Sequence, residues 1–106
     1  MTTIENFIIS LINNIANKNY SSCDALNGKM EKIAFYYNSA LWELRHLSET
    51  SRIIISQMTY IDKGKQEESI MYIKDSLPHE KFSTFNPLVS MDKHKNGFVD
   101  IYITLK

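Results

Sequence analysis

KMEKIAFYYNSALWELRHLSETSRIIISQMTYIDK, residues 29–63, is the stretch on which the fold turns. It contains neither glycine nor proline. Met30, Ile33, Tyr37, Ala40, Leu44, Leu47, Ile54, Met58 and Ile61 recur in alternating steps of three and four, with Ser51 the one break. That spacing predicts a long amphipathic helix. At ~1.5 Å per residue such a helix would run roughly 50 Å. A compact chain of this length has a radius of gyration near ~13 Å. The helix would therefore outgrow its own chain and seek a partner, or break midway at residues 48–51. A strand is the alternative over the β-branched run Arg52-Ile53-Ile54-Ile55, continuing through Tyr60 to a turn at Asp62-Lys63-Gly64-Lys65. The helical face of Ile54, Ile55, Met58 and Ile61 is the cleaner one, because either pleat would mix Ile with Ser, Gln or Thr.

Before this stretch, Thr2 and Glu5 have capping-box spacing, and Ile4, Phe7, Ile8, Leu11, Ile15 and Ala16 share one helical face. A short first helix is predicted, ending within residues 17–19. Ser21 or Ser22 is placed to cap the element that follows, and Gly28 weakens its start. After it, Gly64 reads as a terminator. Residues 66–77 then read as a third, short helix, with Glu67 and Glu68 in its first turn, Lys74 near its end and Pro78 as a stop. Ile70, Ile73 and Leu77 form its apolar edge; a strand over residues 69–73 is the alternative. From Phe98 the pattern alternates: Val99, Ile101, Ile103 and Leu105 face one way, Asp100, Tyr102 and Thr104 the other. Asn96-Gly97 is a turn signal, and residues 88–92 supply the antiparallel partner strand.

The expected fold is thus α+β and helix-dominated. It has a short N-terminal helix, a long or broken central helix, a third short helix and a C-terminal antiparallel β-hairpin. Two helices on a four-stranded antiparallel meander is the runner-up. The 106 residues fit one domain, 1–106, with a single modest core.

Twelve basic and twelve acidic residues balance overall, five of each sign in residues 1–53 and seven of each in 54–106. A general nucleic-acid binder shows a basic excess, so the balance argues against that partner class. Cys23 is the single cysteine, which excludes an intrachain disulfide and a thiolate zinc cluster and fits a cytoplasmic location. The first residues lack the basic region of a signal peptide, and no apolar run is long enough to span a bilayer. The abundance of Ile, Asn, Lys and Tyr suits an AT-rich genome, bacterial or phage.

No segment carries a cofactor or metal signature. Asp92-Lys93-His94-Lys95-Asn96-Gly97 echoes the opening of a calcium loop, but His94 replaces an oxygen ligand, Ile103 stands where a bidentate Glu is required, and two lysines oppose a dication. His46, His79 and His94 share no zinc spacing. Cys23 lies near a helix start, where a thiol is acidified, yet no histidine adjoins it in sequence. Three scattered glycines make no phosphate loop.

The aromatic cluster is the stronger signal. Phe35, Tyr36, Tyr37 and Trp42 exceed what one short helix can cover, and surplus aromatics favour interfaces. The function expected is a non-enzymatic protein-binding module, a small bacterial or phage inhibitor of the immunity or anti-defence kind. Tyr36, Trp42, Tyr37 and Arg45 would form its interface, toward another protein or toward itself in a C2 homodimer. The alternatives are small-ligand or nucleotide binding, with Tyr36, Trp42 and Arg45 or Arg52 supplying stacking and charge, and a small enzyme using His79 or Cys23.

Overall fold

A computed structural model describes residues 3–16, 32–47, 52–78 and 87–104. The decisive stretch is three strands, not a helix. β1 (Lys32–Tyr37), β2 (Ala40–Leu47) and β3 (Arg52–Gln57) form an antiparallel meander. α1 (Thr3–Ala16) precedes them, α2 (Lys63–Asp75) follows, and β4 (Leu88–Lys93) and β5 (Val99–Thr104) close the chain. The sheet order is β1-β2-β3-β5-β4, antiparallel at every neighbour. α2 therefore crosses from β3 to the far edge strand β4, and β5 returns to fill the gap. The helix-dominated expectation is overturned. The runner-up comes nearer in having two helices and an antiparallel sheet, but it lacks one strand and this crossover.

The cause of the misreading is a change of parity at a turn. Asn38 and Ser39 both take positive φ, 53° and 62°, as a two-residue hairpin turn of the primed type requires. Tyr37 then pairs directly with Ala40. Paired residues share a sheet face, so odd positions face inward along β1 and even ones along β2. Ile33, Tyr37, Ala40 and Leu44 sit on one side, as they would in a helix of heptad spacing. The same parity brings Phe35 and Trp42 onto that side, through the pairs Phe35–Trp42 and Ile33–Leu44. The apparent seam ends at Leu47, which is exposed, and at Ile54, which faces the other way. A continuous 50 Å rod would also exceed the longest dimension of the molecule, 37 Å.

The core lies between one sheet face and the two helices. Ile33, Phe35, Trp42, Leu44, Ile53, Ile55, Val99, Ile101 and Ile103 come from the strands, and Phe7, Ile8, Leu11, Ile12 and Ile15 from α1. α2 adds Ile73, with Leu77 just past its end, and Ile61 seals the link before it. Burying side chains of this kind is worth roughly 1.5–3 kcal/mol each. α2 begins earlier than expected: Asp62 caps it by accepting from the Lys65 N–H at 3.0 Å, so Gly64 opens the helix instead of ending the previous element. Its inner face is partly polar. Ser69 donates to the Lys65 carbonyl, and Gln66 reaches Gln57 and the Gly97 carbonyl. At its C-terminal end, Tyr72 donates its hydroxyl to carbonyls of α1, and Asn14 donates to the Ser76 carbonyl.

The C-terminal hairpin follows the alternation: Val99, Ile101 and Ile103 are buried, and Gly97 takes φ +88° in the turn. The proposed caps at Thr2, Ser21 and Ser22, the weak point at Gly28, and Cys23 and His79 lie outside the described residues.

Candidate interaction surface

The two sheet faces differ in character. The helix-side face carries the core, while the outer face presents rows of side chains running across the strands. One row is Tyr36 on β1, Leu41 on β2 and Met58 just past β3. The Met58 N–H donates to the Leu41 carbonyl at 2.8 Å, and the Leu41 N–H donates to the Thr59 hydroxyl at 2.9 Å, which holds the chain after β3 against β2. Tyr36 is 57% exposed and Met58 44%, with Leu41 half-buried between them. Large apolar side chains thus meet water together at one corner of the sheet.

The adjoining rows carry charge. Ala34, Glu43, Ser56, Asp100 and Asp92 form one, and Lys32, Arg45, Ile54, Tyr102 and Ser90 the next. Glu43 is bridged by Lys32 at 3.4 Å and by Arg45 at 3.7 Å. Surface pairs of this kind contribute about 0–1 kcal/mol, so they shape the surface more than they hold the fold. The Arg52 guanidinium lies 5.5 Å from the centre of the Tyr102 ring. At the turn end, His94 Nε2 meets Asp100 Oδ2 at 2.7 Å. That hydrogen bond raises the His94 pKa above its usual value; burial opposes it, and the charges of Asp100 and then Asp92 add to the rise.

The four residues expected at an interface are dispersed. Tyr36 and Arg45 share the outer face, two rows apart. Trp42 is 0% exposed, on the opposite face, with its indole N–H directed at the Tyr37 carbonyl at 3.3 Å. It is a core residue, so the expected stacking site of Tyr36, Trp42 and an arginine is not assembled. Tyr37 is half-buried on the helix side, its ring stacked on Tyr72 with centroids 4.2 Å apart and planes within 1°. Burial, then the Glu68 carboxylate and Tyr72, raise the Tyr37 phenol pKa. His46 is half-buried on the helix side, opposite Ile53.

Leu41 and Met58 escaped the sequence reading as surface residues. Helical periodicity places Met58 on the seam and gives Leu41 no role. The signal that finds them is strand parity counted through the Asn38-Ser39 turn. No helix among the described residues is long and apolar enough to cross a membrane. No family model, no curated protein and no solved structure matches this chain.

Proposed function

We propose that the protein is a non-enzymatic protein-binding module that receives its partner on the outer face of the sheet, centred on Tyr36, Leu41 and Met58. The observation that carries this is the alignment of the three side chains across the sheet, with Tyr36 and Met58 exposed, Leu41 half-buried between them, and none of them part of the core on the other face. Grouped apolar side chains at a surface mark interaction sites, whereas scattered ones do not. An aromatic anchor such as Tyr36 suits the centre of an interface. A stable interface takes about 800 Å² and roughly 20–30 residues from each partner, more than three side chains. The contact therefore extends along the face over the paired charges of Lys32, Glu43 and Arg45, which act as a polar rim. Size and charge neutrality fit a small inhibitor of the immunity or anti-defence kind, working in a bacterial or phage-infected cytoplasm. Self-association through a long helix loses its physical basis, since that helix is three strands. The partner is a different protein.

The test combines capture from the native host with light scattering. A Tyr36→Ser/Met58→Ser variant should keep its thermal midpoint and lose the captured protein. Equal capture by the folded variant would refute the surface. A concentrated sample that scatters as a dimer, and that the same variant returns to a monomer, would refute the different-protein partner.

A further inference from the structure

At the turn end of the sheet, on the helix side, lies a cavity of about 220 Å³ that the protein-binding surface does not use. Among the described residues, no helix covers β4 at this end. Met91, which faces that side from β4, is 48% exposed. The link from β3 to α2, the first turn of α2 and the β4–β5 turn converge around the space. Ile61 and Phe98 line it as apolar surface, Tyr60 stands beside them, and Lys63, Lys93 and Asn96 complete the polar side.

Two buried glutamines fix these walls. Gln66 Nε2 donates to Gln57 Oε1 at 2.7 Å and to the Gly97 carbonyl at 2.8 Å. Gln57 Oε1 also accepts from the Val99 N–H at 3.3 Å, and Gln57 Nε2 donates to the Thr59 carbonyl at 3.0 Å. All three converging segments are tied to one amide pair, so the cavity is preorganised, which lowers the cost of binding. Among the described residues its charge is of one sign: two lysines from separate elements line it and no acidic residue does. Neither lysine enters an ion pair among the described residues. Asn96 Oδ1 already accepts from the Phe98 N–H at 2.9 Å, which leaves its amide N–H₂ as a donor. Asp62 caps α2, so the lysine pair, not the helix terminus, supplies the positive potential.

From this lining we infer a binding site for a small aromatic phosphomonoester. The dianion would lie between Lys63, Lys93 and the Asn96 amide, and the ring against Phe98, Ile61 and Tyr60. Lysine recognises phosphate as a point charge, without the paired geometry arginine imposes. The volume falls below the ~300 Å³ at which pockets for drug-sized ligands begin, which suits a small monoester better than a dinucleotide.

The experiment is an amide-resolved NMR titration of the full chain with phenyl phosphate, run beside inorganic phosphate. Saturable shifts confined to residues 60–66 and 93–98 are expected, with a Kd of about 1 mM or tighter. Higher salt should weaken binding, since the contacts are made by exposed charges. A Lys63→Gln/Lys93→Gln variant should fold unchanged and bind at least about tenfold more weakly, a loss typical of removing charge-assisted contacts. Equal affinity in that variant, or shifts that never saturate, would overturn the site. Inorganic phosphate binding as tightly as phenyl phosphate would overturn the role of the aromatic wall. Because Tyr36, Leu41 and Met58 lie outside the cavity, failure here leaves the protein-binding surface standing, and the reverse.

Discussion

Replacing Ser39 with glycine should stabilise the protein, and the sign of that change tests the fold at its decisive point. Ser39 holds φ 62° in the turn between β1 and β2. An L-residue in that left-handed region bears a cost of about 1–2 kcal/mol. Glycine removes the cost but brings about 0.5–1 kcal/mol of extra chain entropy to the unfolded state. The net gain is about 0.5–1 kcal/mol, which in a domain of this size raises Tm by about 2–6 °C. Ser39→Val should go the other way, because a β-branched residue is a steric outlier at positive φ. Asn38→Ala should cost more than the conformational term alone. The Asn38 amide also reaches Glu68 Oε1 at 2.9 Å and Ser69 Oγ at 3.2 Å, tying the turn to α2. A continuous helix through residues 29–63 predicts the opposite order, with glycine destabilising by about 0.5 kcal/mol and valine nearly neutral. Urea unfolding followed by circular dichroism, with all variants at one pH and salt, measures the differences. A destabilising Ser39→Gly beside a neutral Ser39→Val would refute the hairpin.

Two further outcomes follow from the placement of single residues. Trp42→Ala should lose about 3–5 kcal/mol, a large part of the ~5–15 kcal/mol available to a domain, as read by denaturant unfolding; a folded variant of unchanged midpoint would return Trp42 to the surface. The His94–Asp100 contact should make stability pH-dependent. Because the folded pKa of His94 is raised, the contribution is complete below the unfolded value of about 6.5 and is lost as pH climbs through the raised value. Asp100→Asn should flatten that part of the stability–pH profile and lower the His94 ring titration seen by NMR, and an unchanged titration would remove the contact.

The parts of the fold legible in the sequence are those in which one local rule speaks alone. In the last hairpin, Gly97 announces the turn and Val99, Ile101 and Ile103 alternate without interruption, so composition and conformation agree. In α1 the apolar face is continuous and nothing competes with the helical period. The stretch from Lys32 onward hides its turn instead. Asn38-Ser39 performs with two ordinary side chains what glycine performs at position 97. Without a glycine or proline to mark the reversal, steps of three and four in one strand pair imitate a helix. α2 was visible only in outline, because Gln66 and Ser69 occupy its buried face. A buried amide that ties the helix to two other segments leaves no apolar trace to count.

The same parity rule decides what could be known of the surface. Adjacent aromatics such as Tyr36 and Tyr37 lie about 100° apart on a helix and can share one interface. On a strand they point to opposite faces. Once β1 is a strand, Tyr36 belongs to the outer face and Tyr37 to the helix side, where Tyr72 takes it up. Trp42 follows Phe35 inward for the same reason. The supposed surplus of rings is thus mostly core, and Tyr36 is what remains of it on the outer face of β1 and β2. Its two neighbours there, Leu41 and Met58, are ordinary residues whose significance lies in register. A one-residue slip of β2 against β1 would bury Leu41 and turn Trp42 to water. The patch and the core are consequently set by one pairing, and a mutation that shifts the Asn38-Ser39 turn should abolish both together.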